Sequence, residues 1–328
     1  MDKIAGLPAT QRNELFSETA ARRGMTPAIV EKDFWVTWIL DKLFAHPDLS
    51  RILMFKGGTS LSKVFGLIER FSEDIDLILD WNTLTGEDPE ASRSKTQQQK
   101  FNDQLNEQAQ VFIAGELLQH LSASVAPVCR CTLDTKDPHV LNLRYPAAFS
   151  DEYLRPEIRL EIGPLASWLP FDEYIIRPYA AEAFPAIFNR SECRVKAIKA
   201  ERTFWEKATI LHQEAYRPEG KVQAPRYSRH YYDLAKMFRS STKVAALEDI
   251  SLLETVVAFK NRFYPCGWAN YDLAKPGTLR LVPPGHVLKT VKSDYREMRA
   301  MIFGDYPAIE AIMAQLQELE DEINGVAP

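Results

Sequence analysis

Two neighbouring stretches decide the reading of this chain: Ile52-Leu53-Met54-Phe55-Lys56-Gly57-Gly58-Thr59-Ser60-Leu61, and then Ser72-Glu73-Asp74-Ile75-Asp76-Leu77. The apolar run Ile52 to Phe55 reads as a strand feeding a tight turn at Gly57-Gly58. Thr59 to Phe65 then reads as a short helix with Thr59 or Ser60 at its start. Ile75 to Leu79, alternating with Asp74, Asp76 and Asp80, reads as a second strand. Residues two apart in a strand face the same side, so Asp74 and Asp76 project together while Ile75 and Leu77 enter the core. Two carboxylates that close repel each other unless a cation sits between them. Mg2+ suits such hard oxygen ligands and keeps several waters for substrate phosphates. Glycines at 57 and 58 let the backbone approach a triphosphate, and the first N–H groups of the next helix can bind anionic oxygens. Taken singly, Asp-x-Asp is a solvated strand edge and Gly-Gly a tight turn. In this order and spacing they imply metal-assisted transfer from a nucleoside triphosphate.

Working outward, Thr26-Pro27 is an N-cap followed by proline at the first helical position. The run Ile29 to Phe44 carries two apolar stripes, Val30/Phe34/Trp38 and Trp35/Ile39/Leu43, which predicts a helix buried on more than one face. On the C-terminal side, Asn82 to Gln99 is polar and reads as a loop or an exposed helix start, and Phe101 to Leu121 as a helix. Three strand candidates follow: Ala126 to Leu133, Val140 to Tyr145, and Glu157 to Ile162. In the last, Ile158, Leu160 and Ile162 alternate with Glu157, Arg159 and Glu161. A third carboxylate on a neighbouring strand would complete a two-metal site; Glu161 is the first candidate, with Glu157 in reserve on the same face. Beyond about Pro178 the composition shifts to helix formers, with helices expected over Lys199–Gln213, Tyr231–Phe238, Leu247–Phe263, Val287–Phe303 and Ala308–Ile323. The domain division is placed near Ala180 to Arg194, giving residues 1–185 and 186–328.

Composition narrows the function classes. The chain has 328 residues, 45% hydrophobic and 26% charged, which is enough for a substantial core in one or two domains. Its net charge of -5 supplies no overall positive field toward nucleic acid or anionic membrane, although local basic patches are compatible with it. Apolar stretches such as Phe34 to Leu43 are too short and interrupted to span a bilayer, and residues 1–10 lack a signal-peptide core. Cys129, Cys131, Cys193 and Cys266 are too few for a disulfide framework and lack the second pair of a zinc site. Reduced structural cysteines, and so a cytoplasmic location, are expected.

The sequence Lys56-Gly57-Gly58-Thr59-Ser60-Leu61 with Ser72-Glu73-Asp74-Ile75-Asp76-Leu77 resembles the nucleotidyltransferase signature of the AbiEii/AbiGii toxin family. The resemblance continues through Ala200-Glu201-Arg202-Thr203-Phe204-Trp205-Glu206-Lys207 and Arg229-His230-Tyr231-Tyr232-Asp233-Leu234 to Asp294-Tyr295 and Met298. The central motif is shared with the wider polymerase-β-like nucleotidyltransferase superfamily; the Trp205 and Tyr232 segments narrow it to the toxin family. The third acidic position is Glu161, where many relatives have Asp. The resemblance implies an α+β, bilobed protein, with a nucleotidyltransferase core of mixed β-sheet and flanking helices plus a helical C-terminal lobe. It also implies a toxin of a type IV toxin–antitoxin system, with a DNA-binding antitoxin encoded beside it. The family's activity is transfer of nucleotides from an NTP to a target, with the tRNA 3′ acceptor end as the acceptor class.

On this reading Asp74, Asp76 and Glu161 hold one or two Mg2+ ions, and Gly57, Gly58, Thr59 and Ser60 bind the nucleotide. Lys207 is three or four residues from Phe204, Ile210 and Leu211, on or beside the inward stripe of its helix. By resemblance it is the motif lysine, suited to neutralising charge that grows on the leaving pyrophosphate; otherwise it is a lysine covering the edge of an amphipathic helix. Asp233 matches the family's late acidic residue, either orienting Lys207 or Arg229, binding the nucleotide's sugar, or joining two helices as a buried ion pair. Arg217, Lys221, Arg226 and Arg229 sit among Tyr227, Tyr231 and Tyr232, a mixture suited to phosphates and unpaired bases, or else to an ordinary solvated loop. The partners expected are an NTP, RNA and an antitoxin, with no membrane. A second enzymatic reading changes the acceptor to a protein or small-molecule hydroxyl, since the core alone does not choose. A non-enzymatic reading is a nucleotide-binding interaction module.

Overall fold

The computed structural model describes residues 1–72, 74–149 and 156–325, so Glu73 of the quoted motif lies outside the described residues. The chain divides into two compact units, one of residues 1–64 and 71–198, the other of residues 65–70 and 199–328. Its architecture is α+β.

In the first unit the helices are α1 (Asp2–Ala5), α2 (Ala9–Arg23), α3 (Pro27–Phe44), α4 (Leu49–Ile52), α5 (Gly57–Lys63), α6 (Lys95–Phe112), α7 (Leu118–Val125) and α8 (Tyr179–Ala183). The strands are β1 (Leu53–Lys56), β2 (Asp74–Leu79), β3 (Arg130–Leu133), β4 (Val140–Arg144), β5 (Glu157–Gly163), β6 (Phe171–Ile176) and β7 (Cys193–Ile198). They form one mixed sheet in the order β3-β4-β5-β2-β1-β7-β6, with β2 parallel to β5 and β1 parallel to β7. Strict alternation gives this sheet two unlike faces. Leu53, Phe55, Ile75, Leu77, Leu141, Leu143, Ile158, Leu160, Val195 and Ala197 belong to one large core with α3. The other face carries Asp74, Asp76, Arg159 and Glu161, with a small cluster of Met54, Ile78, Ala166 and Ile198 beside them.

α3 is buried on both predicted stripes, and the Thr26 side chain accepts from the Ile29 N–H as its cap. The helix expected over 101–121 starts earlier and runs further. Ser94 and Gln97 form a reciprocal capping box, and a π-helical turn at Ile113–Leu117 joins α6 to α7. The strand expected from Ala126 shortens to Arg130–Leu133. β6 and β7 are additions. β7 alternates buried Cys193, Val195 and Ala197 with more exposed Arg194 and Lys196, and it pairs with both β1 and β6. That pairing places β7 in the first unit, which runs to residue 198.

The second unit contains α9 (Ala200–Ala215), α10 (Ser228–Phe238), α11 (Ser241–Glu248), α12 (Ile250–Phe263), α13 (Gly285–Glu297) and α14 (Ile309–Asn324). Phe204, Trp205, Ala208 and Leu211 of α9 are fully buried, as are Tyr231, Tyr232 and Leu234 of α10. The early segment 65–70 belongs here: Arg70 bridges to Ile302, and the Phe303 N–H donates to the Glu69 carbonyl. No helix among the described residues is long and apolar enough to cross a membrane.

Candidate active site

In the first unit, sheet register collects the predicted carboxylates. Asp76 is paired with Glu161 across β2 and β5, and with Lys56 across β1 and β2; Asp74 is paired with Arg159. Paired positions share a face, so Asp74, Asp76 and Glu161 share the face opposite the core. The Gly57-Gly58 turn faces them. Gly57 has φ +82°, in the left-handed region, and a Cβ built there would stand 2.6 Å from Asp76 Cγ. Glycine is therefore required twice over, by backbone conformation and by the space that Asp76 fills.

α5 begins at Gly57 rather than at Thr59, with Lys56 at its N-cap, so neither Thr59 nor Ser60 caps it. Thr59 donates to the Asp74 carbonyl, and Ser60 donates to the Gly57 carbonyl at 2.8 Å. At the other end of α5, Lys63 pairs with buried Asp33 of α3, whose second oxygen accepts from the Tyr179 N–H at 2.7 Å. The helix that opens beside Asp76 is thus fixed at both ends.

Arg159 was not among the predicted site residues, yet it stands amid the carboxylates. Its guanidinium lies 3.2 Å from Asp134, 3.6 Å from Asp74 and 3.8 Å from Glu161. Asp134 accepts from Asn142 and from the Lys136 and Asp137 N–H groups, which, with Arg159, hold its carboxyl below the usual carboxylate range. The signal for Arg159 was present in the alternation Glu157-x-Arg159-x-Glu161. Asp134, on a loop, had none.

No three His, Cys, Asp or Glu side chains among the described residues converge as a metal cage. Mg2+ does not require one, since it is commonly held by one or two carboxylates with substrate phosphates and water. The paired oxygens of Asp74 and Asp76 beside a turn without side chains fit that ion. The cysteines are inert by comparison: all four are free thiols, and burial pushes Cys129 up to about 12 and Cys131 up to about 11.

The second unit holds the other predicted residues. Lys207 of α9 lies 2.7 Å from Asp233 of α10, and both are buried. Arg70 completes the group, its Nε 2.6 Å and its second nitrogen 2.8 Å from the two Asp233 oxygens. Burial works to raise the Asp233 pKa, but Arg70 and Lys207 outweigh it and hold the carboxyl below its ordinary range. Burial lowers the Lys207 pKa, offset in part by Asp233. His230 is kept neutral by burial and by the charges of Lys207 and Arg229. Sequence reasoning missed Arg70, for which nothing but its place four residues before Asp74 offered a clue.

The predicted basic loop is not uniform. Arg217 is buried, forked onto Glu214 at 2.6 and 2.7 Å, and donates to the Val222 carbonyl. Its charge is spent on the fold. Lys221 and Arg226 are exposed and Arg229 is half-buried, while Lys221 sits 5.0 Å from the Trp268 ring centroid.

A sequence profile described as "Nucleotidyl transferase AbiEii toxin, Type IV TA system" matches residues 38–318, which include every stretch that carries the family resemblance. The chain belongs to the AbiEii family. It is a nucleotidyltransferase toxin of the type IV toxin–antitoxin class. No curated protein matches the sequence. Among solved structures, MenT4, a nucleotidyltransferase toxin from Mycobacterium tuberculosis H37Rv, aligns over 98% of this chain and 100% of its own, with 16% identity and a TM-score of 0.43. JHP933 from Helicobacter pylori aligns over 90% of this chain and 97% of its own, at 14% identity and a TM-score of 0.36. A putative nucleotidyltransferase from H. pylori aligns over 90% and 96%, at 13% identity and a TM-score of 0.37.

Proposed function

We propose that this AbiEii toxin uses Mg2+ to transfer nucleotides from an NTP to RNA, with the tRNA 3′ acceptor end as the target. The observation that carries the reading is the apposition of Asp76, beside Asp74 on one strand face, to a Gly57 that must lack a Cβ. Side-chain-free backbone against paired carboxylates suits a site for triphosphate and cation together. In the transfer, the acceptor hydroxyl oxygen bonds to the α-phosphorus, the bond to the bridging oxygen breaks, and pyrophosphate leaves.

Asp74 and Asp76 are the residues that would hold Mg2+, with Glu161 as the third. When bound, the metal lowers the pKa of the acceptor hydroxyl and offsets triphosphate charge. Glu161, its side chain 45% exposed, takes the hydroxyl proton. The backbone of Gly57, Gly58 and Thr59 offers first-turn N–H groups that have no carbonyl partner within the helix, for anionic oxygens, with Ser60 beside them. Lys207, oriented by Asp233, which Arg70 grips in turn, is by resemblance the motif lysine, with a charge suited to a triphosphate. Exposed Lys221 and Arg226, with Arg229, contact RNA phosphates, as their accessible charges allow.

The test incubates the protein with Mg2+, each labelled NTP in turn and total cellular RNA, beside Asp76→Ala. Label in a tRNA-sized band with the wild type alone is the expected result. Label on protein or on a small molecule would replace RNA as the acceptor. An absence of label with every NTP would overturn the RNA assignment under these conditions and direct the search to other acceptors.

A further inference from the structure

We propose that Arg159 is a built-in counter-cation of the carboxylate face, one that yields Asp74 and Glu161 to an incoming divalent metal while staying moored to Asp134. The inference rests on the reading of Asp74, Asp76 and Glu161 as the metal-holding set.

The distances are unequal in an informative way. At 3.2 Å, the contact of Arg159 with Asp134 is a hydrogen-bonded ion pair. At 3.6 and 3.8 Å, those with Asp74 and Glu161 exceed hydrogen-bond range and act as charge alone. The mooring is itself fixed. Asn142 lies opposite Arg159 on β4 and donates to Asp134 at 2.8 Å, while the Lys136 and Asp137 N–H groups donate to its other oxygen at 2.8 and 3.0 Å. Asp74 and Glu161 have no comparable claim on the guanidinium, so those two contacts are the ones a competing cation can take.

The arrangement also accounts for two facts that otherwise stand apart. Carboxylates on one open sheet face repel each other, and a guanidinium that cannot lose its proton offsets that repulsion at every physiological pH. With Arg159 leaning on two of the three proposed ligands, no three carboxylates among the described residues converge on one point. The planar fork turns three different nitrogens, Nε, Nη1 and Nη2, toward three carboxylates at once. Arg159 is therefore a positioning residue that sets how readily the free protein takes up metal.

The experiment follows free Mn2+ by its electron paramagnetic resonance signal as it is titrated into nucleotide-free protein. Circular dichroism verifies that the Arg159 variants, altered on the sheet face away from the large core, are folded at the titration temperature. Arg159→Gln, which removes the charge, should bind Mn2+ about two- to fivefold more tightly, the scale set by exposed ion pairs. Arg159→Lys keeps the charge and should stay nearer the wild type; tightening equal to that of Arg159→Gln would overturn the proposal. If Arg159→Gln binds Mn2+ as the wild type does, the proposal is likewise overturned. Asp76→Asn serves as the reference for the underlying reading. Mn2+ binding undiminished in Asp76→Asn would refute the metal assignment itself, whereas loss in Asp76→Asn with no change in Arg159→Gln would refute only the role of Arg159.

Discussion

Replacing Gly57 by alanine tests the link between the turn and the carboxylates most directly. The substitution forces an L-residue to φ +82° and places a Cβ 2.6 Å from Asp76 Cγ and 2.9 Å from its Cβ. The left-handed backbone costs roughly 1–2 kcal/mol. To restore an ordinary contact of 3.4 Å or more, Asp76 Cγ must retreat by about 0.8 Å, and a misplacement of about 1 Å costs on the order of 10²-fold in rate. Gly57→Ala should thus lower the denaturant midpoint modestly and the transfer rate severely. Gly163→Ala, on β5, where nothing lies within 4 Å of the added methyl, is the matched control and should stay within about 0.5 kcal/mol. Urea titration and single-turnover transfer of labelled nucleotide read the two quantities separately. A Gly57→Ala protein that unfolds with the wild type and transfers at its rate would refute the reasoning.

Other residues give sharp expectations. Asp76→Ala should abolish transfer while leaving the melting curve in place, since the carboxylate lies on the sheet face away from the large core. Asp233→Asn leaves Arg70 and Lys207 buried without their shared counter-charge, and should cost about 3–5 kcal/mol in chemical denaturation. Because the folded-state pKa of Asp233 is depressed, its contribution is present above the unfolded value of about 4 and is lost as pH falls through the folded value. Asp233→Asn should flatten that acid limb of the stability curve. Arg217→Ala should destabilise the fold without changing the salt dependence of RNA binding, whereas Lys221→Ala and Arg226→Ala should each reduce the slope of log K against log salt by about 0.7 for a single-stranded contact.

The local elements around the motif were legible because each rests on short-range rules. Alternation marked β2 and β5, Thr26-Pro27 marked the start of α3, and the Gly-Gly pair marked the turn. The same alternation ran through Cys193 to Ile198 and was obscured by the neighbouring shift toward helix formers, so β7 entered the fold only through its pairing with β1. The Ser94-x-x-Gln97 box was likewise readable in advance. Arg70 was not: its partner Asp233 is 163 residues away, and no periodicity connects them.

Taken alone, the sequence determined which residues could share a face, because a strand's period of two and a helix's period of 3.6 are properties of the backbone. Asp74 with Asp76, and Arg159 with Glu161, follow from that period. Only the tertiary structure decided that β2 lies parallel to β5 with Asp76 opposite Glu161, that Asp76 fills the space a Gly57 side chain would need, and that one buried carboxylate holds both Arg70 and Lys207. Register and long-range ion pairs depend on which surfaces the chain brings together, and that is set by burial of the whole core rather than by any local pattern.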